Sequence, residues 1–256
     1  MNIHNCGSIM RFTWLELSRA RVWRLALALV VLGCIAAEFG ASLAVTESGA
    51  HRIAFYAAGM RLVAVFVMAL LVAASVLREF DDKAVEAILS RPVSRGDWYL
   101  GRFGGYAGIA FVFAFVVAIP LLVQVPAAAS LWAYALALEL IIVTAATLAM
   151  IITVRQLPVA LCAVAGFYLL SRGIAGFALM STGPTVDPGA VSTHVIAWII
   201  DALAHVLPAF DRYTSTVWLI DALPPVTEII FISLQSVVYV VLLVAVGLFD
   251  LHRRNF

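Results

Sequence analysis

Charged residues are scarce in this sequence. They make up 12% of its 256 residues, whereas hydrophobic residues make up 64%. A soluble globular domain typically carries about 25% charged residues. The composition therefore excludes a soluble globular domain and indicates a protein whose main solvent is lipid. The formal net charge of +1 is uninformative about partners, because in a membrane chain the positions of Lys and Arg matter more than their sum.

Cysteines are few, and the common catalytic motifs are absent. Cys6, Cys34 and Cys162 are scattered, so neither a disulfide framework nor a zinc site is predicted. The sequence has no Gly-x-x-x-x-Gly-Lys-[Ser/Thr] loop, so we expect this chain not to hydrolyse ATP by itself. It also has no nucleophile elbow, no His-Glu-x-x-His helix and no basic patch with interleaved aromatic residues. We expect no catalytic, cofactor-binding or metal-binding residues and no nucleic-acid partner.

Long apolar runs recur along the chain. A helical span needs roughly 20 apolar residues to cross about 30 Å of hydrocarbon. The segment 1–24 carries four arginines before the first run and is expected to be a cytoplasmic interfacial part of an uncleaved anchor. The runs predict an all-α, multi-pass bundle of six transmembrane helices forming a single domain over residues 1–256: Leu25–Val45, Ile53–Leu77, Gly101–Val123, Leu131–Thr153, Leu157–Met180 and Val226–Phe249.

The connection 181–225 contains two shorter apolar stretches separated by Pro and Gly. Val195–Leu207 and Thr216–Leu223 are too short to span, so we predict that they lie at the membrane surface or dip partly into it. An eight-span arrangement remains the alternative. One stripe of this region could ligate a metal or form the polar face of an interfacial helix: His194, Trp198, Asp201 and His205.

The distribution of basic residues predicts the orientation. Most of the Lys and Arg residues fall on the same side as the N-terminus, whereas Arg52 and Arg212 alone fall on the other side and Arg61 and Arg172 fall inside predicted spans. Because basic loops are retained in the cytoplasm during insertion, we predict both termini inside and residues 181–225 outside. The predicted location is the inner (cytoplasmic) membrane.

The loop between the second and third spans, residues 79–98, predicts a short amphipathic helix. Asp82, Lys83, Glu86 and Ser90 fall on one arc, opposite a stripe of apolar residues. Pro92 ends this helix. Such a helix is suited to contact a partner in the cytoplasm, although a generic interfacial helix has the same pattern.

This loop resembles that of type-2 ABC transporter permeases, whose pattern runs roughly E-x-E-x-G-T-L-E-x-L-L-S-x-P-V-S-R followed by Leu, Gly and a basic residue. Two weaker similarities lie elsewhere: the terminal stretch Phe249–Phe256 and the segment Leu207–Tyr213, which is similar to an L-P-x-F-D-x-[FY] element. Lys83-Ala84 stands where the family usually has Gly-Thr. The positions that match the loop pattern by type are Glu79, Asp81, Glu86, Leu89, Ser90, Pro92, Val93, Ser94, Arg95, Leu100, Gly101 and Arg102.

The resemblance implies a permease subunit of an ABC exporter. Its coupling helix would insert into a groove on a separate ATPase subunit, and two ATPase subunits, which bind ATP and Mg²⁺, would drive two permease subunits, identical or related. The alternatives are a membrane scaffold of an ATPase-coupled assembly machine and an ATP-independent transporter or channel. The residues that the resemblance assigns to ATPase coupling are Glu79, Asp82, Lys83, Glu86, Arg91 and Arg95.

Four ionisable residues lie inside predicted spans at a similar depth from the extracytoplasmic side: Glu38, Arg61, Glu139 and Arg172. Each costs about 2.5–3.5 kcal/mol at mid-membrane if unpaired, so these residues should face the interior and find partners. We predict an intramembrane charge layer of two ion pairs or one network. It could serve as a structural latch, an outer gate, a contact for a lipid or peptide headgroup, or a proton relay.

Small residues in the third predicted span form one further pattern. Gly104, Gly105 and Gly108 share a helix face, which permits a second helix to approach closely. Ordinary packing within the bundle explains the pattern as well as a special dimer motif does.

Overall fold

The computed structural model describes residues 3–19, 22–43, 48–81, 94–181 and 191–253. Its regular secondary structure in these ranges is entirely helical, which confirms the all-α prediction. The helices, in chain order, are α1 Ile3–Arg19, α2 Val22–Ser42, α3 Ser48–Asp81, α4 Arg95–Gln124, α5 Pro126–Val154, α6 Leu157–Ser181, α7 Val191–Val206, α8 Val217–Ile220 and α9 Val226–Arg253.

Six of these helices, α2 to α6 and α9, are long and apolar enough to cross a membrane. The structure thus has the six candidate membrane-spanning helices that the sequence predicts, as in a multi-pass membrane protein. The helix α3 is longer than its apolar run. Polar residues at both ends, beginning at Ser48 and ending at Asp81, belong to the same helix. The 16 residues of α7 extend only about 24 Å, which is shorter than a full span.

The helix α5 lies at the centre of the bundle. In its most apolar stretch 83% of the residues are buried, compared with 17% for α2 and 11% for α9. It packs against α3, α4, α6 and α9. Many of its buried positions are alanines, which allow neighbouring helices to come close. Because α5 is covered on all sides, its apolar residues show no one-sided periodicity.

The helix α1 lies against the first part of α4. A Cβ atom added at Gly101 would come within 2.8 Å of Ile9 Cβ, and one at Gly108 within 3.1 Å of Trp14. Gly105 has the same kind of contact with Thr13. The close approach that the small residues predict is therefore an approach of α1, and these glycines set the distance between the two helices. We call the end of the bundle where this contact lies the α1 end.

The segment Leu207–Thr216, between α7 and α8, enters the bundle although it is not helical. Phe210, Tyr213 and Thr214 are each 0% exposed. The Phe210 ring packs against the rings of Phe167, Tyr168 and Tyr213. The following short helix α8 contacts α3 and α5. Trp218 and Leu219 of α8 are buried as well, at 8% and 4% exposure. The location of the stretches Val195–Leu207 and Thr216–Leu223 relative to the membrane stays a prediction.

Candidate functional site

A buried arginine ties α1 to α3 and α4. Arg102 of α4 is 2% exposed. Its Nη1 donates to Thr13 Oγ1 at 3.0 Å and to Glu16 Oε2 at 3.1 Å. Its Nη2 forms an ion pair with Glu79 Oε1 at 2.5 Å. We call Thr13, Glu16, Glu79 and Arg102 the α1 cluster.

Burial explains why the α1 cluster holds these helices together. Glu79, in the last turn of α3, is 8% exposed and needs a nearby cation, because an uncompensated buried charge costs several kcal/mol. Glu16 keeps part of its side chain in solvent, at 40% exposure. The interior therefore contains one ion pair, and the second carboxylate stabilises it from the rim.

Residues on both sides of the 82–93 stretch are fixed to the bundle. Ser94 caps α4, because its Oγ accepts from the backbone N–H of Asp97 at 3.0 Å. Arg95 Nη1 donates to the carbonyl oxygen of Leu251 at 3.4 Å. On the other side, the Phe80 ring meets the Trp98 ring edge-on, and the Arg155 guanidinium lies 4.9 Å from the centre of the Phe80 ring. These contacts connect the ends of the stretch to α4, α5 and α9.

The predicted ATPase-coupling residues divide between described and undescribed parts of the chain. Asp82, Lys83, Glu86 and Arg91 lie outside the described residues. Glu79 is turned into the bundle against Arg102, and Arg95 is half-buried beside Leu251. Both described residues thus have partners within this chain.

A second polar cluster lies deep in the bundle around Glu139. This carboxylate is 0% exposed and accepts hydrogen bonds from Tyr168 Oη at 2.7 Å and Thr214 Oγ1 at 2.9 Å. Arg172 Nη1 lies 3.6 Å from its Oε1. Arg61 Nη1 donates to the carbonyl oxygen of Thr214 at 3.0 Å. We call Arg61, Glu139, Tyr168, Arg172 and Thr214 the core cluster.

The core cluster fastens the irregular segment to three membrane helices. Arg172 Nη1 also donates to the carbonyl oxygen of Phe210 at 2.6 Å and to Thr214 Oγ1 at 3.2 Å. Non-helical backbone at membrane depth needs hydrogen-bond partners, because lipid offers none. Here guanidinium groups from α3 and α6 supply them. Two guanidinium groups lie near one carboxylate, and the main-chain carbonyls of Thr214 and Phe210 each accept one N–H from them.

Tyr213 fixes the same segment to α9. Its hydroxyl donates to the carbonyl oxygen of Ile232 at 3.0 Å and lies 2.8 Å from Ser236 Oγ. The segment is thereby connected to α3, α5, α6 and α9 together.

Three members of the predicted intramembrane charge layer come together, and the fourth lies elsewhere. Arg61, Glu139 and Arg172 belong to the core cluster. Glu38, near the end of α2, pairs with Arg52 of α3 at 2.9 Å, and Arg52 also donates to Gln124 Oε1 at 3.1 Å. The Glu38 side chain is 65% exposed, because α2 is a peripheral helix.

The region with metal-ligand spacing forms no cluster among the residues that the structure describes. Within those ranges, no group of three or more His, Cys, Asp or Glu side chains is arranged to hold a metal ion. Asp201 Oδ1 and His205 Nδ1 are 3.7 Å apart, and both side chains are largely exposed on α7. The side chain of His194 lies outside the described set.

Sequence reasoning missed several members of both clusters. Tyr168 and Thr214 were not singled out, because one hydroxyl group in an apolar surrounding gives little signal. Thr13 and Glu16 had a signal that was not used. They stand three residues apart on α1 and so share one helix face.

Comparison with known proteins found neither a matching family model nor a matching curated protein.

Proposed function

We propose that this chain is the permease subunit of an ABC exporter of the type-2 class. In this proposal, the loop 79–98 carries the coupling helix, which ends before Pro92 and docks into a groove of a separate ATPase subunit. Two permease subunits, identical or related, form the translocation path. Two ATPase subunits bind ATP and Mg²⁺, and this chain has no catalytic role of its own.

The observation that carries the proposal is the bracing of the 82–93 stretch at both ends. Glu79 is paired with the buried Arg102, which also binds α1, and Arg95 binds the backbone of α9. Energetic coupling between distant sites is carried by packed side chains, hydrogen-bond networks and rigid helices. A displacement imposed on this stretch would therefore be transmitted to α1, α3, α4 and α9 together.

We infer the contacts with the ATPase from the charged residues of the proposed coupling helix. Asp82, Lys83, Glu86 and Arg91 supply both signs of charge over one short stretch, which favours a specific docking orientation over a merely adhesive one. Arg95 would reach the partner only by leaving the Leu251 carbonyl, so we assign it to the edge of the contact. Glu79 supports the base of the coupling helix from inside.

The orientation belongs to the same proposal. The α1 end faces the cytoplasm, with both termini inside, and the chain resides in the cytoplasmic membrane. The core cluster then holds the segment Leu207–Thr216 on the extracytoplasmic side of α3, α5 and α6. There it serves as a latch that keeps these helices together in the resting arrangement.

The test is purification of the tagged chain from its native membrane in mild detergent, with quantitative mass spectrometry of the copurifying proteins. Glu86→Arg reverses a charge in the proposed coupling helix. Asp221→Arg makes the same change at an exposed position beside α8 and is the matched control. We expect a nucleotide-binding subunit to copurify with the wild type and the control, and to be lost with Glu86→Arg. The proposal would be contradicted if the wild type and both variants recovered the nucleotide-binding subunit equally, or if none of them recovered it.

A further inference from the structure

A groove runs between α2 and α3 on the periphery of the bundle. It encloses about 240 Å³, and its floor includes Gly33, Tyr56 and Met60. Tyr56 is held in place because its hydroxyl donates to the carbonyl oxygen of Val117 at 2.8 Å. The rim includes Leu32 and Phe55, which are 60% and 49% exposed. The groove is thus an apolar channel that opens toward the surroundings of the bundle.

The groove continues into a polar site formed by the same two helices. A second depression lies at the end of α2 and the start of α3, and Glu38, Ser42, Ser48 and Arg52 line it. On α3, Arg52 of the depression stands three and four residues before Phe55 and Tyr56 of the groove, so these side chains share one helix face. The apolar channel and the charged depression are therefore neighbours along the same face of α3.

The length of this surface matches one lipid. From Ser42 back to Leu29 along α2, the rise is about 20 Å at 1.5 Å per residue. One leaflet contributes about 15 Å of hydrocarbon. The surface thus accommodates one acyl chain in the apolar part and a headgroup in the charged part.

The charges of the polar end select the kind of headgroup. Glu38 and Arg52 form an accessible ion pair, with side chains 65% and 39% exposed. Arg52 donates through Nη1 to Glu38 Oε1 at 2.9 Å and through Nη2 to Gln124 Oε1 at 3.1 Å, so both ends of its fork hold acceptors that a phosphate would replace. Arginine binds phosphate well because its planar fork presents parallel donors. A carboxylate beside it suits an ammonium group with N–H donors.

We propose that the α2–α3 groove is a binding site for a zwitterionic aminophospholipid, one with a phosphate and a primary ammonium group, such as phosphatidylethanolamine. The phosphate binds Arg52 and the ammonium group binds Glu38. The protein's ion pair is thereby exchanged for two others, and every charge stays compensated. An anionic lipid leaves Glu38 without a cation, and a choline headgroup offers no N–H donor to the carboxylate.

Gly59 provides a direct way to block the apolar channel. It lines the groove, and a Cβ added there would meet no atom within 4 Å. The Cβ of a larger residue therefore fits here without displacing the protein, and a leucine side chain is expected to extend into the channel. Gly166 of α6 is the matched control, because it is also exposed and its added Cβ also meets nothing within 4 Å.

The experiment is native mass spectrometry of the purified, delipidated chain titrated with phosphatidylethanolamine, phosphatidylcholine and phosphatidylglycerol of identical acyl chains. We expect wild type and Gly166→Leu to retain phosphatidylethanolamine preferentially. Gly59→Leu should lose this preference. Glu38→Gln removes the partner of the ammonium group at an exposed position that folding does not require. It should weaken phosphatidylethanolamine binding about tenfold, as expected for one charged hydrogen bond, while phosphatidylcholine binding stays unchanged.

Two results would overturn this assignment. Equal uptake of the three lipids by the wild type would indicate unselective lipid around the bundle. Undiminished phosphatidylethanolamine preference in Gly59→Leu would place the lipid outside the groove. Neither result depends on an ATPase partner, so the lipid site and the proposed transport function can fail separately.

Discussion

Replacing Arg102 by methionine should destabilise the protein strongly, because it removes the one cation inside the α1 cluster. Arg102 and Glu79 are 2% and 8% exposed, so the pair is nearly dry. Breaking a buried pair by removing one partner typically costs about 3–5 kcal/mol, since the other charge is left uncompensated. For a chain of this size such a loss lowers the melting temperature by roughly 10 °C. Glu16 adds little to this cost, because it can turn to solvent.

Removing both charges should restore most of this loss. In the double variant Glu79→Leu with Arg102→Met, apolar side chains fill the site, and such replacements of whole buried pairs are often close to neutral. The assay is thermal unfolding in detergent, and its readout is the amount of monodisperse protein that remains after heating. Arg11→Met is the matched control, because Arg11 is exposed on α1 and should change stability by less than about 0.5 kcal/mol.

Two outcomes would refute the reasoning about the α1 cluster. The first is a single Arg102→Met variant with the same melting temperature as the wild type. That result would mean that the ion pair is not buried in the membrane-embedded protein. The second is a double variant no more stable than the single one. That result would mean that Arg102 acts through its bonds to α1 and not through compensation of Glu79.

Further predictions concern the core cluster and the contact of α1 with α4. Glu139→Gln removes the only carboxylate of the core cluster and should speed amide hydrogen exchange in residues 207–216, with a loss of about 3 kcal/mol. Glu38→Gln, at an exposed ion pair, should cost no more than about 1 kcal/mol and leave that exchange unchanged. Gly105→Ala should lower thermal stability by about 1–3 kcal/mol, because its Cβ would overlap Thr13. Gly7→Ala, on α1 in open space, should raise stability by up to about 1 kcal/mol. If both alanine variants behave alike, the close approach of α1 is not what constrains Gly105.

The spans could be predicted because length and hydropathy alone define them. The α5 helix illustrates what such runs leave out. Its apolar residues surround it completely, so the sequence contains no indication of which neighbour lies on which side. The helix α3 extends beyond its apolar run at both ends, because polar residues such as Ser48 and Asp81 lengthen a helix without adding to the run.

The core cluster could be predicted in part. Counting along each span gave Arg61, Glu139 and Arg172 a common depth, and their contacts agree with it. Depth does not give the direction in which a side chain points, however, and this direction depends on packing. Glu38 therefore appeared to belong to the same layer, although it pairs with Arg52 at the periphery. The hydrogen bonds to the Phe210 and Thr214 carbonyls could not be predicted, because every residue has a backbone carbonyl and the sequence does not show which of them accept.

The central claim, that this chain is driven by an ATPase, is tested most directly by ATP hydrolysis of the assembly purified through the tagged chain and placed in lipid vesicles. The account predicts Mg²⁺-dependent hydrolysis by a copurifying nucleotide-binding subunit, present in equal number with this chain. It also predicts that Glu86→Arg abolishes both the association and the activity, while Asp221→Arg retains them. An assembly of normal stability that contains no nucleotide-binding subunit and hydrolyses no ATP would contradict it.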